Sequence, residues 1–167
     1  FALRKTIHAC DWARATQDIV AAINTRLTFP PNIESHYCNL FEMNPPQELL
    51  FENESILKDV EPNSAIITVG ALEQVGTKFQ PFLDWVMSQR EKIKVVVHVE
   101  PIFECYGSNS LFDYVAMKYH EQRGYLKGYW PALQQLEQEK KIEILEADKF
   151  MGSFYHDGWS VIVYKLV

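Results

Sequence analysis

The chain is poor in what several protein classes require. Its three cysteines, Cys10, Cys38 and Cys105, are scattered without CxxC spacing. An odd number of unclustered thiols argues against a disulfide framework and points to a reducing compartment, the cytoplasm; no metal site is implied. No apolar run approaches the ~20 residues needed to cross a bilayer, so no membrane partner is expected. The opening Phe1-Ala2-Leu3-Arg4-Lys5 is too short and too charged for a signal peptide. Basic runs are missing too, and the net charge of −6 leaves no electrostatic footprint for a phosphate backbone, so no nucleic-acid partner is expected. Low-complexity tracts and internal repeats are absent.

What remains is an ordinary globular composition. With 167 residues, 47% of them hydrophobic, the chain is long enough to bury one sizeable core and short enough to be one domain, residues 1–167. It opens on Phe1 and not on Met, so it is expected to begin inside a longer chain.

Along the chain, strand and helix patterns alternate. Residues 6–10 form a short strand candidate closed by Asp11 and Trp12. Residues 13–27 carry Ile19, Val20, Ile23 and Leu27 at helical spacing, and the Pro30-Pro31 stretch stops that helix. A weaker strand over 33–40 is interrupted by His36 and Asn39. A loop around Pro45-Pro46 precedes a short amphipathic turn or helix over 54–60. The apolar run 64–69 reads as a strand buried on both faces. Residues 79–90 form a helix with Pro81 in its first turn. The strand over 93–99 has five β-branched residues among its seven, broken only by Lys94 and His98. Two helices follow, over 111–122 and 130–140. Two strands, over 141–147 and 159–166, close the chain around a turn-rich connection from 152 to 158.

Alternation at this spacing implies right-handed crossovers and an α/β fold: a doubly wound, mostly parallel sheet with helices on both faces. The last two strands lack an intervening helix and are expected to pair antiparallel. Ligands of such sheets bind outside the carboxyl ends of the strands. Here those ends read Cys10-Asp11-Trp12, Cys38-Asn39-Leu40-Phe41, Val69-Gly70-Ala71-Leu72-Glu73-Gln74-Val75-Gly76 and His98-Val99-Glu100-Pro101-Ile102. Each has an ordinary explanation beside a functional one. Asp11 can start a helix, Asn39 can end a strand in a turn, Glu73 can be solvated, and His98 can be a hydrogen-bonded core residue.

Taken together, these strand ends resemble a class I S-adenosylmethionine (SAM) dependent methyltransferase, of the bacterial kind linked to sugar and polysaccharide modification. The "ALEQVG" run is the most specific part of the likeness. The series His98 to Ile102, Leu111 to Tyr114, Lys118 to Glu121 and Arg123 to Leu126 is similar to the same group. The resemblance implies a Rossmann-like three-layer sandwich with an antiparallel C-terminal strand pair. It also implies SAM as cofactor, with Asp11 on the ribose hydroxyls, Trp12 against the adenine face, Asn39 on the adenine amino group and Leu40 touching the ring. Gly70 and Ala71 would leave room for the methionine part. Glu73, Glu100 and His120 are the candidate bases for a small-molecule or sugar acceptor.

One departure is large. The family's acidic residue and glycine-rich turn after its first strand have no counterpart, since the seven glycines stand at 70, 76, 107, 124, 128, 152 and 158. The fold is therefore expected to be N-terminally incomplete and inactive as it stands. A sheet lacking an internal strand exposes two edges, which a partner chain or self-association into a homo-oligomer would fill. The alternative from another class is a non-catalytic methyltransferase-like binding or assembly domain. A nucleotide-binding oxidoreductase fits less well, because of the C-terminal antiparallel pair.

Overall fold

The computed structural model describes residues 6–26, 33–43, 60–150 and 158–167. The turn or helix expected over 54–60, the proline stop at 28–32, the loop at 44–46 and the connection from 152 to 157 lie outside these residues, Val60 apart. The chain divides into two compact units, residues 1–59 and 60–167, each with its own sheet.

In the first unit, β1 (Ile7–Asp11) and β2 (Ile33–Tyr37) pair parallel through the helix α1 (Arg14–Asn24). Their register sets His8 beside Glu34, Cys10 beside His36 and Asp11 beside Tyr37. Asn24 near the end of α1 reaches the start of β2, where its amide nitrogen donates to the Ile33 carbonyl at 2.7 Å. That bond fixes where the crossover returns to the sheet.

The second unit holds a four-stranded sheet in the order β3 (Ser64–Val69), β4 (Ile93–Glu100), β6 (Trp159–Leu166), β5 (Ile142–Phe150). β3 and β4 run parallel, and β6 lies antiparallel between β4 and β5. Helices α2 (Gln80–Ser88), α3 (Leu111–Arg123) and α4 (Tyr129–Gln138) complete it. Local chemistry fixes their ends. Pro81 sits in the first turn of α2, and the Ser110 hydroxyl caps α3 by accepting from the Asp113 N–H at 3.1 Å. Gly124, at φ 68°, ends α3 in the left-handed conformation.

The core lies on one face of this sheet. Ile93, Val96, Ile162 and Tyr164 of the strands, and Leu72, Val86, Ile102, Leu126 and Leu133 outside them, are all essentially without solvent contact. Each such side chain contributes roughly 1.5–3 kcal/mol by leaving water. Ring contacts from Phe82 of α2 and Tyr129 of α4 to His98 show that both helices pack on this face.

The opposite face corrects the expectation of a strand buried on both sides. Ile67 and Val69 of β3 are 68% and 60% exposed, and Ala65 is exposed as well. β3 has one neighbour, β4, so nothing pairs with its other edge among the described residues. The sheet of this unit is also mixed and not mostly parallel, because β6 pairs antiparallel on both sides. No helix among the described residues is long and apolar enough to cross a membrane.

Candidate functional site

The parallel strands bring their carboxyl ends together within each unit. In the first, the Cys38 N–H donates to the Asp11 carbonyl, which holds the segments after β1 and β2 side by side. Asp11, Trp12, Asn39 and Leu40 therefore share one end of this sheet. Asp11 is engaged locally: Oδ1 accepts from the Ala13 N–H at 2.9 Å and Oδ2 from the Thr16 hydroxyl at 2.8 Å. A carboxylate offers about four acceptor positions, so two remain for further donors. Trp12 is 74% exposed and free to lie against a planar ligand. Asn39 Oδ1 accepts from the Phe41 N–H at 3.1 Å, the side-chain turn that ends the strand.

In the second unit, Glu100 organises the end of β3. It is fully buried at the end of β4, and its carboxylate accepts from the backbone N–H groups of Ala71, Leu72 and Glu73 at 3.2, 3.1 and 3.1 Å. The three donors belong to the turn Leu72–Val75 and the residue before it. Burial pushes the carboxyl up, while the Thr68 hydroxyl and the backbone donors pull it down; burial prevails.

Behind Glu100 runs a buried polar chain. Thr68 bonds the Glu100 carboxyl and also lies 2.8 Å from His98 Nδ1. His98 Nε2 lies 2.8 Å from the Tyr129 hydroxyl, itself 3.3 Å from that of Tyr164. One proton arrangement satisfies every group. Tyr129 donates to Nε2, Nδ1–H donates to Thr68, and Thr68 donates to Glu100. Burial lowers His98 to about 3, so the ring is neutral, as this arrangement requires. His98 is thus a hydrogen-bonded core histidine.

Gly70 is the most closely approached point of this strand end. At φ 58° it adopts a conformation that favours glycine. A Cβ added there would come within 2.9 Å of the Trp159 ring and 3.9 Å of Glu73 Oε2. Trp159, at the start of β6, therefore belongs with Gly70 and Glu73. Glu73 is 7% exposed, and its Oε1 accepts from the Gln74 amide at 2.8 Å. Sequence reasoning missed Trp159, although an aromatic directly after Gly158 was the available signal. Gly158 itself is required sterically, since a Cβ there would meet the Tyr106 ring at 2.4 Å.

His120 is placed in the interior. It is fully buried on α3, edge-on to Tyr106 at 5.0 Å and tilted against Tyr125 at 5.8 Å. Most of α3 faces outward instead: Phe112, Tyr114, Val115 and Tyr119 are all exposed.

Against known proteins, no family model and no curated protein sequence matches this chain. Solved structures do. LepI in complex with SAM aligns over 97% of the chain at TM-score 0.53 and 10% identity. A structure described as a pericyclic reaction enzyme aligns over 97% at TM-score 0.50 and 11% identity. TrmK of M. capricolum with S-adenosylhomocysteine covers 95% of this chain and 50% of its own, at TM-score 0.46 and 12% identity. The chain spans 36% of the length of each of the first two. At such identities the likeness is one of fold, an α/β arrangement shared with LepI.

Proposed function

We propose that this chain is part of a SAM-dependent methyltransferase acting on a small molecule, with a sugar hydroxyl as the acceptor class, in the cytoplasm. The observation that carries the reading is the strand end at Gly70, where Glu100 clamps three consecutive N–H groups and a half-buried, left-handed glycine adjoins Glu73 and the Trp159 ring. A left-handed glycine set between a carboxylate and an aromatic ring supports a ligand-binding turn after β3. In this reading Gly70 and Ala71 take the methionine part of SAM. Asp11 takes the ribose hydroxyls, and Trp12, Asn39 and Leu40 take the adenine. The likeness to SAM-bound LepI supports the cofactor.

Methyl transfer from a sulfonium needs little beyond in-line positioning, so orientation supplies most of the rate. A hydroxyl acceptor also needs a base. Glu73, whose carboxylate adjoins Gly70, is the group proposed for that role. Glu100, with three N–H groups on its carboxylate, acts by holding the turn, and His120 shapes the acceptor wall through Tyr106 and Tyr125. The exposed rings of α3 suit a stacking cover for the acceptor.

The test is transfer of a labelled methyl group from SAM to a panel of hydroxylated small molecules by the whole protein. Glu73→Gln should lower turnover by about 10²–10⁴ while SAM affinity stays within twofold. Binding of SAM with no transfer to any acceptor would favour a second reading, a SAM-binding domain without methyl transfer. The fold neighbour described as a pericyclic reaction enzyme supports keeping that reading, because one fold carries different chemistries.

A further inference from the structure

We propose that His8, Glu34 and His36 form a binding site for a divalent first-row transition metal of the zinc type. The site lies wholly within the first unit and is independent of the SAM reading. Alternation along a strand puts His8 and Cys10 on one face of β1, and Glu34 and His36 on one face of β2. The parallel register then sets His8 directly beside Glu34, with His36 one pair further on beside Cys10. Two imidazoles and a carboxylate converge as a consequence.

The distances suit one ion. His8 Nδ1 lies 2.8 Å from His36 Nε2, while Glu34 Oε2 lies 3.7 Å from the first and 3.9 Å from the second. The circle through three atoms so spaced has a radius of about 2 Å, so one point stands at zinc–nitrogen and zinc–oxygen bonding distance from all three. Two histidines and one carboxylate are a donor set that zinc and its neighbours favour, and three donors leave a position for water. The setting is suitable as well. The imidazoles are 17% and 12% exposed, shielded yet reachable, and Glu34 is 47% exposed, which gives an ion a way in. A hydrogen-bonded histidine pair explains the 2.8 Å contact alone; it does not explain a carboxylate nearly equidistant from the same two nitrogens.

The thiols of Cys10, in β1, and Cys38, just after β2, are the rival ligands. The experiment is titration of Co²⁺ and Zn²⁺ into tag-free protein, read by calorimetry and, for cobalt, by visible absorption. One ion should bind per chain, and His36→Ala should weaken it at least tenfold. Glu34→Gln should weaken it at least tenfold as well, since it removes a charged ligand. Because Glu34 is exposed, that variant should keep the wild-type circular dichroism and stays informative if a histidine variant misfolds. Absence of saturable binding would overturn the proposal, as would affinities within twofold of wild type in both variants. So would binding lost only in a Cys10→Ser, Cys38→Ser double variant.

Discussion

His98 shows how one residue can link a core to a strand end. Buried between Thr68 and Tyr129, it has to remain neutral for Nε2 to accept from the Tyr129 hydroxyl while Nδ1–H donates to Thr68. Its folded value of about 3 lies below the ordinary 6.5, so the unfolded chain binds a proton that the folded chain refuses. Stability is then full above pH 6.5 and falls as the pH drops toward 3, by about 1.4 kcal/mol per unit. The raised Glu100 carboxyl acts in the opposite sense, adding stability only at acid pH, below its folded value. Chemical denaturation of the wild type and His98→Gln from pH 7 to 5 separates the two, since Glu100 is common to both. The wild type should lose more stability on acidification than the variant. Parallel losses would show that His98 is not the group responsible. The sequence offered His98 as a hydrogen-bonded core histidine, and so it is, but its partners were not legible there. Thr68, Glu100 and Tyr129 become neighbours only through strand pairing and helix packing, across about thirty residues of chain.

Among the elements, local pattern located most strands well. Residues 64–69 and 159–166 fold as their composition dictates, because apolar β-branched runs there are bounded by turn residues. β2 stops at Tyr37 and not at residue 40, because the Asn39 side chain captures the Phe41 N–H. β5 extends to Phe150, past the expected 147, because Phe150 pairs with Trp159 across the antiparallel ladder. Such pairing is invisible to periodicity. The mixed sheet makes a further prediction. Val163 lies in β6, paired with β4 on one side and β5 on the other, so Val163→Pro breaks an inner ladder. Leu145 is the extra residue of a bulge on β5 and is 51% exposed. Val163→Pro should destabilise strongly or prevent folding, because it removes an inner ladder hydrogen bond, and Leu145→Pro far less. Equal losses in urea denaturation would mean that β6 is not the inner strand.

For the whole molecule, the order of elements foretold an α/β fold with an antiparallel closing pair, and both are present. The uncovered face of β3 was not foreseen. An apolar run reads as doubly buried, yet the sequence cannot say whether a second layer lies over it. Ile67 and Val69 are where that layer is missing among the described residues. The same limit applies to the SAM reading, which rests on strand ends assembled separately in two units. Asp11 offers the sharpest test, because the structure gives it a local role beside the proposed one. Asp11→Asn keeps an acceptor for the Ala13 N–H but replaces one carboxylate oxygen with a donor and removes the charge. Calorimetric titration of SAM into the whole protein should show one site, weakened at least tenfold in Asp11→Asn, since a hydrogen bond to a charged group is worth about 1.5–3 kcal/mol. The melting temperature should change little. Absence of SAM binding in the wild type, or equal affinity in the variant, would contradict the account.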